Sequence, residues 1–349
     1  MARTAQITAQ TAASVAASVA ARPAVCAAAE DWFHVADLDD GITLISEPGH
    51  VNSFLVQGAE RALLFDSGLG IAPISEVVRS LTDTPLVVVS SHDHVDHRGG
   101  NADLAAHADE LGLLAIAAHP SAVGPAATSH REVDPQFLRD YAAAMTAVYE
   151  DYLRYEALDE QSFFVLRGIG RPRPMPDTSA WRVPEVRPTQ ALHDGERIDL
   201  GGRSLLVLHT PGHTADSLVL VDESTGALLA GDTVIAAAFW LHNDGADLPA
   251  FAASTAHLAG LPLTRVLTAH NLLAVQPPEY VAAVARAAAS VQTGGTRPVA
   301  GRDLLGNPVD RHSHDGVALL LPPTHGAHRP LSAADLTAHL TADLSKELA

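Results

Sequence analysis

Between residues 92 and 97 the chain reads His92-Asp93-His94-Val95-Asp96-His97. The apolar run Leu86–Ser90 feeds straight into this segment and reads as a buried strand. Residues two apart at an extended strand end project to the same side, so His92 and His94 can hold one cation together. Asp96 and His97 follow on the turn toward the next helix and can face a second cation. Two such cations supply hydrolytic chemistry, because a bound water loses its proton near pH 7 instead of about 15.7. Even with 19 histidines in 349 residues, this four-residue pattern arises by chance less than about once in a hundred such chains. Gly99 and Gly100 are expected to permit the tight turn that follows.

Four further segments each place one chemistry-bearing residue after a short apolar run. Asp66 follows Leu63-Leu64-Phe65, and His213 lies in the turn Thr210-Pro211-Gly212-His213-Thr214. Asp232 lies in Leu229-Ala230-Gly231-Asp232-Thr233, and His270 in Leu267-Thr268-Ala269-His270-Asn271. Singly each is weak, since a turn aspartate is commonly a cap and a lone histidine commonly structural. Their order along the chain gives them weight together. With Cys26 the only cysteine, no intramolecular disulfide forms, and a metal site must use histidines and carboxylates.

These five segments resemble the ordered motifs of the metallo-β-lactamase superfamily over about residues 40 to 290. The resemblance implies an α/β fold, a four-layer αββα sandwich with its metals at one edge. It implies that His92, His94 and His213 hold one ion, that Asp96, His97 and His270 hold the other, and that Asp232 bridges both. Asp66 would orient a ligand histidine from behind, and Asp96 would handle the proton of the attacking water. The implied cofactors are two Zn2+ per chain, with Fe or Mn as alternatives. The implied activity is a metallo-hydrolase that uses a metal-bridging hydroxide to cleave a small-molecule ester, thioester or lactone.

Departures from particular branches narrow this reading. The bridging position is Asp232, where many β-lactamases of the superfamily lack a carboxylate. No tyrosine follows shortly after it, unlike acyl-homoserine lactonases, and Ala236-Ala237-Ala238-Phe239-Trp240 is apolar where glyoxalase II enzymes are polar. Alkyl sulfatase-like, β-lactamase-like and glyoxalase II-like hydrolases stand as alternatives. From other classes, a mono-iron persulfide dioxygenase-like oxidoreductase and an inactive binding member remain. Phe239, Trp240 and His242, with Phe163, Phe164 and Trp181, are expected to line the substrate pocket.

The elements needed to position these residues are legible as alternating short strands and helices. Strands are expected at Ile42–Ser46, Val51–Gln57, Ala62–Phe65, Leu113–Ala117, Ser204–Leu208, Leu218–Val221, Ala227–Ala230 and Val266–Ala269. Helices are expected at Ile71–Leu81, Asn101–Leu111, Leu248–Ala259 and Pro278–Val291. Residues 31–349 are expected to form one domain, with an insertion over about residues 120–190. Its long helix runs from the Asp134 cap to about Leu158, with Phe137, Tyr141, Met145, Val148, Tyr152 and Tyr155 on one face. Residues 293–316 read as loop, including His312 and His314, and a closing strand and helix are expected over about 317–348.

A net charge of −19 excludes a nucleic-acid surface, which needs clustered Lys and Arg. No apolar run approaches the roughly 20 residues of a membrane span. The expected partner is therefore a small-molecule substrate, and a homo-oligomer stays open. The Ala-rich residues 1–30 lack a strongly apolar centre and contain Arg22, so they read as a disordered or loosely helical cytoplasmic extension in preference to an export signal.

Overall fold

The protein is represented by a computed structural model that describes residues 25–124, 127–162 and 170–324. Seven strands pair in chain order: β1 (His34–Asp37), β2 (Ile42–Glu47), β3 (Val51–Gln57), β4 (Ala62–Phe65), β5 (Leu86–Val89), β6 (Ala115–Ala118) and β7 (Gln190–Ala191). They are antiparallel up to β4 and parallel from β4 to β7. Parallel neighbours require a crossover. The helices Ile74–Leu81, Asn101–Ala106, Ala108–Leu111 and Pro135–Ser162 lie in those crossovers.

The second half continues with β8 (Arg197–Asp199), β9 (Ser204–His209), β10 (Leu218–Asp222), β11 (Ala227–Leu229), β12 (Phe239–Trp240), β13 (Arg265–Leu267) and β14 (Val275–Gln276). Six of these form a sheet in the order β14-β13-β11-β10-β9-β8. β12 instead joins β17 (Val317–Leu321), β16 (Pro308–His314) and β15 (Val299–Arg302) in a smaller sheet.

Strand alternation divides the interior into layers. Phe54, Val56, Leu63, Phe65, Val87 and Val89 pack against Leu205, Val207, Leu218, Leu220 and Leu229 of the second sheet. The intervening Leu55, Leu64 and Val88 face the first set of helices. Behind the second sheet, Val219, Leu228 and Val266 meet Phe251, Val281 and Val284 of the helices Leu248–Ala259 and Glu279–Gln292. Strands buried on both faces explain the continuous apolar runs. The layer order is the expected αββα.

Several expectations are corrected. The N-terminal extension does not run to residue 30: Cys26 donates its backbone N–H to Ile71 (2.9 Å), and Ala29 and Trp32 are in the core. Residues 1–24 and the expected helix near 332–348 lie outside the described residues. The stretch 293–316 contains β15 and β16, so His312 and His314 lie on a strand. Gly306, with φ +82°, lies in the hairpin turn between them. Asn101–Leu111 breaks into two pieces at His107 (φ −111°).

The long helix forms as Pro135–Ser162, but only part of the expected stripe packs: Tyr141 and Met145 face the core and the ends of the stripe do not. Leu138, Ala142 and Met145 are buried, while Phe137 and Tyr155 are exposed. Small residues at 142 and 144 let the backbone approach the core closely, a fit that bulky aromatics prevent.

Candidate metal centre

The five motif loops meet at the ends of β4, β5, β9, β11 and β13. Asp66 leaves β4 with φ +64°, a left-handed conformation that costs a non-glycine residue energy and persists where surroundings enforce it. Its Oδ1 accepts from the Ser91 backbone N–H (2.7 Å). Its Oδ2 accepts from Ser91 Oγ (2.9 Å) and from His97 Nδ1 (2.8 Å). The loop after β5 is further pinned where Ser67 N–H donates to His97 O (2.9 Å).

Gly99 and Gly100 do not supply a special turn, since both have right-handed helical φ. They are glycines because two loops touch: a Cβ on Gly99 would lie 2.2 Å from Leu69 O, and one on Gly100 2.3 Å from Ser67 O. Gly212 combines both needs, with φ +141° and a Cβ position 2.3 Å from Phe251 Cα.

Four of the five histidines, His92, His97, His213 and His270, have their outer nitrogen occupied by the protein. Ser91 Oγ gives its proton to Asp66 and therefore accepts from His92 Nδ1 (3.0 Å). His213 Nδ1 donates to Trp240 O (2.9 Å), and His270 Nδ1 to His50 O (2.7 Å). These bonds fix tautomer and ring orientation and leave the Nε2 atoms of these four rings facing inward, whereas His94 meets His213 through Nδ1. The inward atoms form two groups: His92, His94, His213 and Asp232, and Asp96, His97 and His270, each with ligand atoms within 4.8 Å of one another.

Asp232 spans the two groups. Its Oδ2 lies 3.4 Å from His213 Nε2, while Oδ1 lies 3.3 Å from His97 Nε2 and 3.2 Å from His270 Nε2. Asp96 Oδ2 is 3.5 Å from His270 Nε2, and His213 Nε2 is 3.0 Å from His94 Nδ1.

The electrostatics match a cation site. Burial opposes protonation of His97, yet Asp232, Asp96 and Asp66 outweigh it and hold its pKa well above 6.5. Burial is likewise outweighed at His270 by Asp232 and Asp96, which push it up to about 9. Despite burial, His270 and His97 drag Asp232 well below the usual carboxylate range. Burial, then the neighbouring His97, His94 and His213, depresses His92. The carboxylates thus draw positive charge to the centre. His92 Nε2, His97 Nε2 and Asp232 Oδ1 are buried with no hydrogen-bond partner. An unpaired buried polar atom costs about 1–3 kcal/mol, and coordinated cations would satisfy all three. The donor set, histidine nitrogen and carboxylate oxygen, fits zinc.

Sequence reasoning missed the supporting residues. Asn52 on β3 donates to Thr268 O and Asn271 O, both at 3.0 Å, and steadies the loop bearing His270. Glu47, buried at the end of β2, accepts from Leu69 N–H through Oε1 (3.0 Å) while Oε2 has no partner. Burial pushes its pKa up to about 8, with Asp96 adding to the shift. Asp93, between the first two histidines, accepts from the His130 backbone N–H (2.6 Å) and pairs with Arg98 (2.7 Å). Polar residues next to a metal motif read as solvated loop until the fold supplies their partners.

The expected pocket lining is corrected in two places. Phe239 and Trp181 are each 1% exposed, in the core on either side of the sandwich. Trp181 donates its indole N–H to Leu69 O (3.0 Å). β12 alternation turns Phe239 inward and leaves Trp240 half-buried beside His242 (ring centroids 5.2 Å), whose Nε2 pairs with Asp303 (2.8 Å). Phe163 and Phe164 lie outside the described residues. The insertion does cross one side of the centre: Arg173 donates its backbone N–H to Pro48 O (2.7 Å), and His50 Nε2 donates to Arg173 O (2.9 Å).

Residues 46–270 match the metallo-beta-lactamase superfamily. The chain belongs to that superfamily. Among curated relatives, this superfamily member is 30% identical over 226 residues to the acyl-coenzyme A thioesterase MBLAC2 of Gallus gallus, covering 59% of this chain and 68% of the relative. It is 28% identical over 224 residues to MBLAC2 of Homo sapiens, with the same two coverages. A solved metallo-beta-lactamase family protein from Thermus thermophilus is 22% identical with a TM-score of 0.46, covering 74% of this chain and 80% of that one. Among the described residues, no helix is long and apolar enough to cross a membrane.

Proposed function

We propose that this superfamily member is a two-metal hydrolase, with zinc as its metal, that cleaves small-molecule thioesters of the acyl-CoA class. The observation that carries the two-metal reading is Asp232, whose oxygens face separate groups of histidines. The thioester class is supported by the likeness to MBLAC2.

His92, His94 and His213 would hold one ion, Asp96, His97 and His270 the other, and Asp232 both. Bound there, the ions supply Lewis acidity and lower the pKa of water toward 7. Asp66, Ser91, Trp240 O and His50 O hold the rings of His97, His92, His213 and His270 in one orientation. Asp96 lies among the inward-facing atoms and takes the proton of the attacking water. As the water oxygen bonds to the thioester carbonyl carbon, the C–S bond breaks, and that proton passes to the departing sulfur.

A panel of acyl-CoA thioesters, aryl esters, lactones, sulfate esters and β-lactams, assayed with zinc-loaded protein, tests this. Thioesters are expected to show the highest kcat/KM. A higher value for any other class overturns the substrate assignment.

A further inference from the structure

The two groups of inward-facing atoms are held by different parts of the chain. In the first group, His92 Nδ1 rests on Ser91 Oγ and His213 Nδ1 on Trp240 O. In the second, the loop carrying His270 hangs on residues 50–52. His270 Nδ1 donates to His50 O (2.7 Å), and the Asn52 backbone N–H donates to Ala269 O (2.7 Å). The Asn52 side-chain amide adds bonds to Thr268 O and Asn271 O. His50 is therefore the residue whose backbone oxygen orients the His270 ring.

The side chain of His50 is tied to the insertion. Its ring is buried, stacks on Trp32 at 5.2 Å and 29°, and donates from Nε2 to Arg173 O (2.9 Å). Arg173 N–H donates to Pro48 O (2.7 Å), so both backbone groups of Arg173 are bonded to the turn Pro48-Gly49-His50. The fit is close: Gly49 has φ +85°, and a Cβ there would lie 2.4 Å from Pro172 Cβ. His50 N–H closes the turn onto Glu47 O (2.8 Å). A tight turn with its ends bonded moves as a unit, so a shift at the strap Pro172–Arg173 reaches the His50 carbonyl.

We propose that His50 is a positioning residue through which the Pro172–Arg173 strap sets His270, and with it the ion held by Asp96, His97 and His270. The proposal rests on the two-metal reading of the same site. Loss of the Nε2 donor leaves Arg173 O without that partner and loosens the turn from the strap. The His50 carbonyl then no longer holds one place, and the His270 ring no longer keeps Nε2 aimed at the centre. The ion of His92, His94 and His213 keeps its supports, because those histidines rest on Ser91 and Trp240 instead.

A zinc competition titration against a chromophoric chelator, resolving a dissociation constant for each ion, tests this in wild type, His50→Phe and His50→Gln. Phenylalanine keeps a ring against Trp32 and removes the donor, whereas glutamine returns an N–H near the position of Nε2. His50→Phe is expected to weaken one ion by about 10- to 100-fold and to leave the other at its wild-type constant. The unshifted constant also reports that the variant is folded. His50→Gln is expected to recover most of the loss. Equal weakening of both ions overturns the proposal, because a general loosening of the fold does the same. Two unchanged constants overturn it too, as does a His50→Gln protein as weak as His50→Phe. A wild type that takes up a single zinc refutes the two-metal reading and this proposal with it. Two ions in wild type with no selective shift in His50→Phe refute the proposal alone.

Discussion

Asp66 Oδ2 accepts a 2.8 Å hydrogen bond from His97 Nδ1, and both side chains are buried. The bond leaves the opposite ring nitrogen, Nε2, 3.3 Å from Asp232. In the proposed two-metal centre Asp66 is thus a positioning residue that acts through another side chain. Asp66→Ala is expected to weaken zinc binding by about 10- to 100-fold, read by competition with a chromophoric chelator. Wild-type affinity in that variant contradicts the role.

Gly99 is required by backbone contact with Leu69, not by its φ. Gly99→Ala must separate the loop bearing Asp66 from the one bearing His97, at a cost of about 1–3 kcal/mol. Urea denaturation of the two proteins measures it. An equal midpoint and slope would show that the contact has slack.

His119 is held near 4 by burial, with His209 and His193 adding to the shift, and its ring stacks on His209 at 4.3 Å. A histidine whose folded pKa is depressed is neutral in the fold while the unfolded chain protonates at about 6.5. Its contribution to stability is therefore present above about 6.5 and is lost as pH falls toward about 4. Denaturation midpoints taken between pH 7 and pH 4.5 are expected to fall less steeply in His119→Gln than in wild type. Parallel curves count against this account.

Glu47 behaves in the opposite sense. Its folded pKa is raised from 4.5 to about 8, so stability present below about 4.5 is lost as pH rises through about 8. Glutamine has the shape of the protonated acid and carries no charge at any pH. Glu47→Gln is expected to make the metal-free protein more stable than wild type at pH 9, with the difference shrinking toward pH 5. Thermal melts at the two pH values measure it, and a variant less stable at pH 9 refutes the assignment.

The candidate metal-binding residues stand out in the sequence because each follows an apolar run, and runs such as Leu63-Leu64-Phe65 and Leu86–Ser90 reflect strands buried on both faces. A strand end is where a side chain leaves the core, so the motif order carried the site. The insertion was less legible, since spacing alone does not show that Leu138, Ala142 and Met145 are buried while Phe137 and Tyr155 are exposed. Trp181 and Phe239 are large and apolar, properties shared by pocket walls and cores, and only packing separates the two. Gly99 and Gly100 were recognised as necessary but for a turn, because a loop distant in sequence supplied the real constraint.

Zinc titration of the metal-free protein, with acyl-CoA thioester hydrolysis followed at each addition, tests the central claim most directly. Activity is predicted to be absent before zinc is added and to reach its plateau at two ions per chain. Full activity at one ion per chain, or hydrolysis that survives exhaustive chelation, would contradict it.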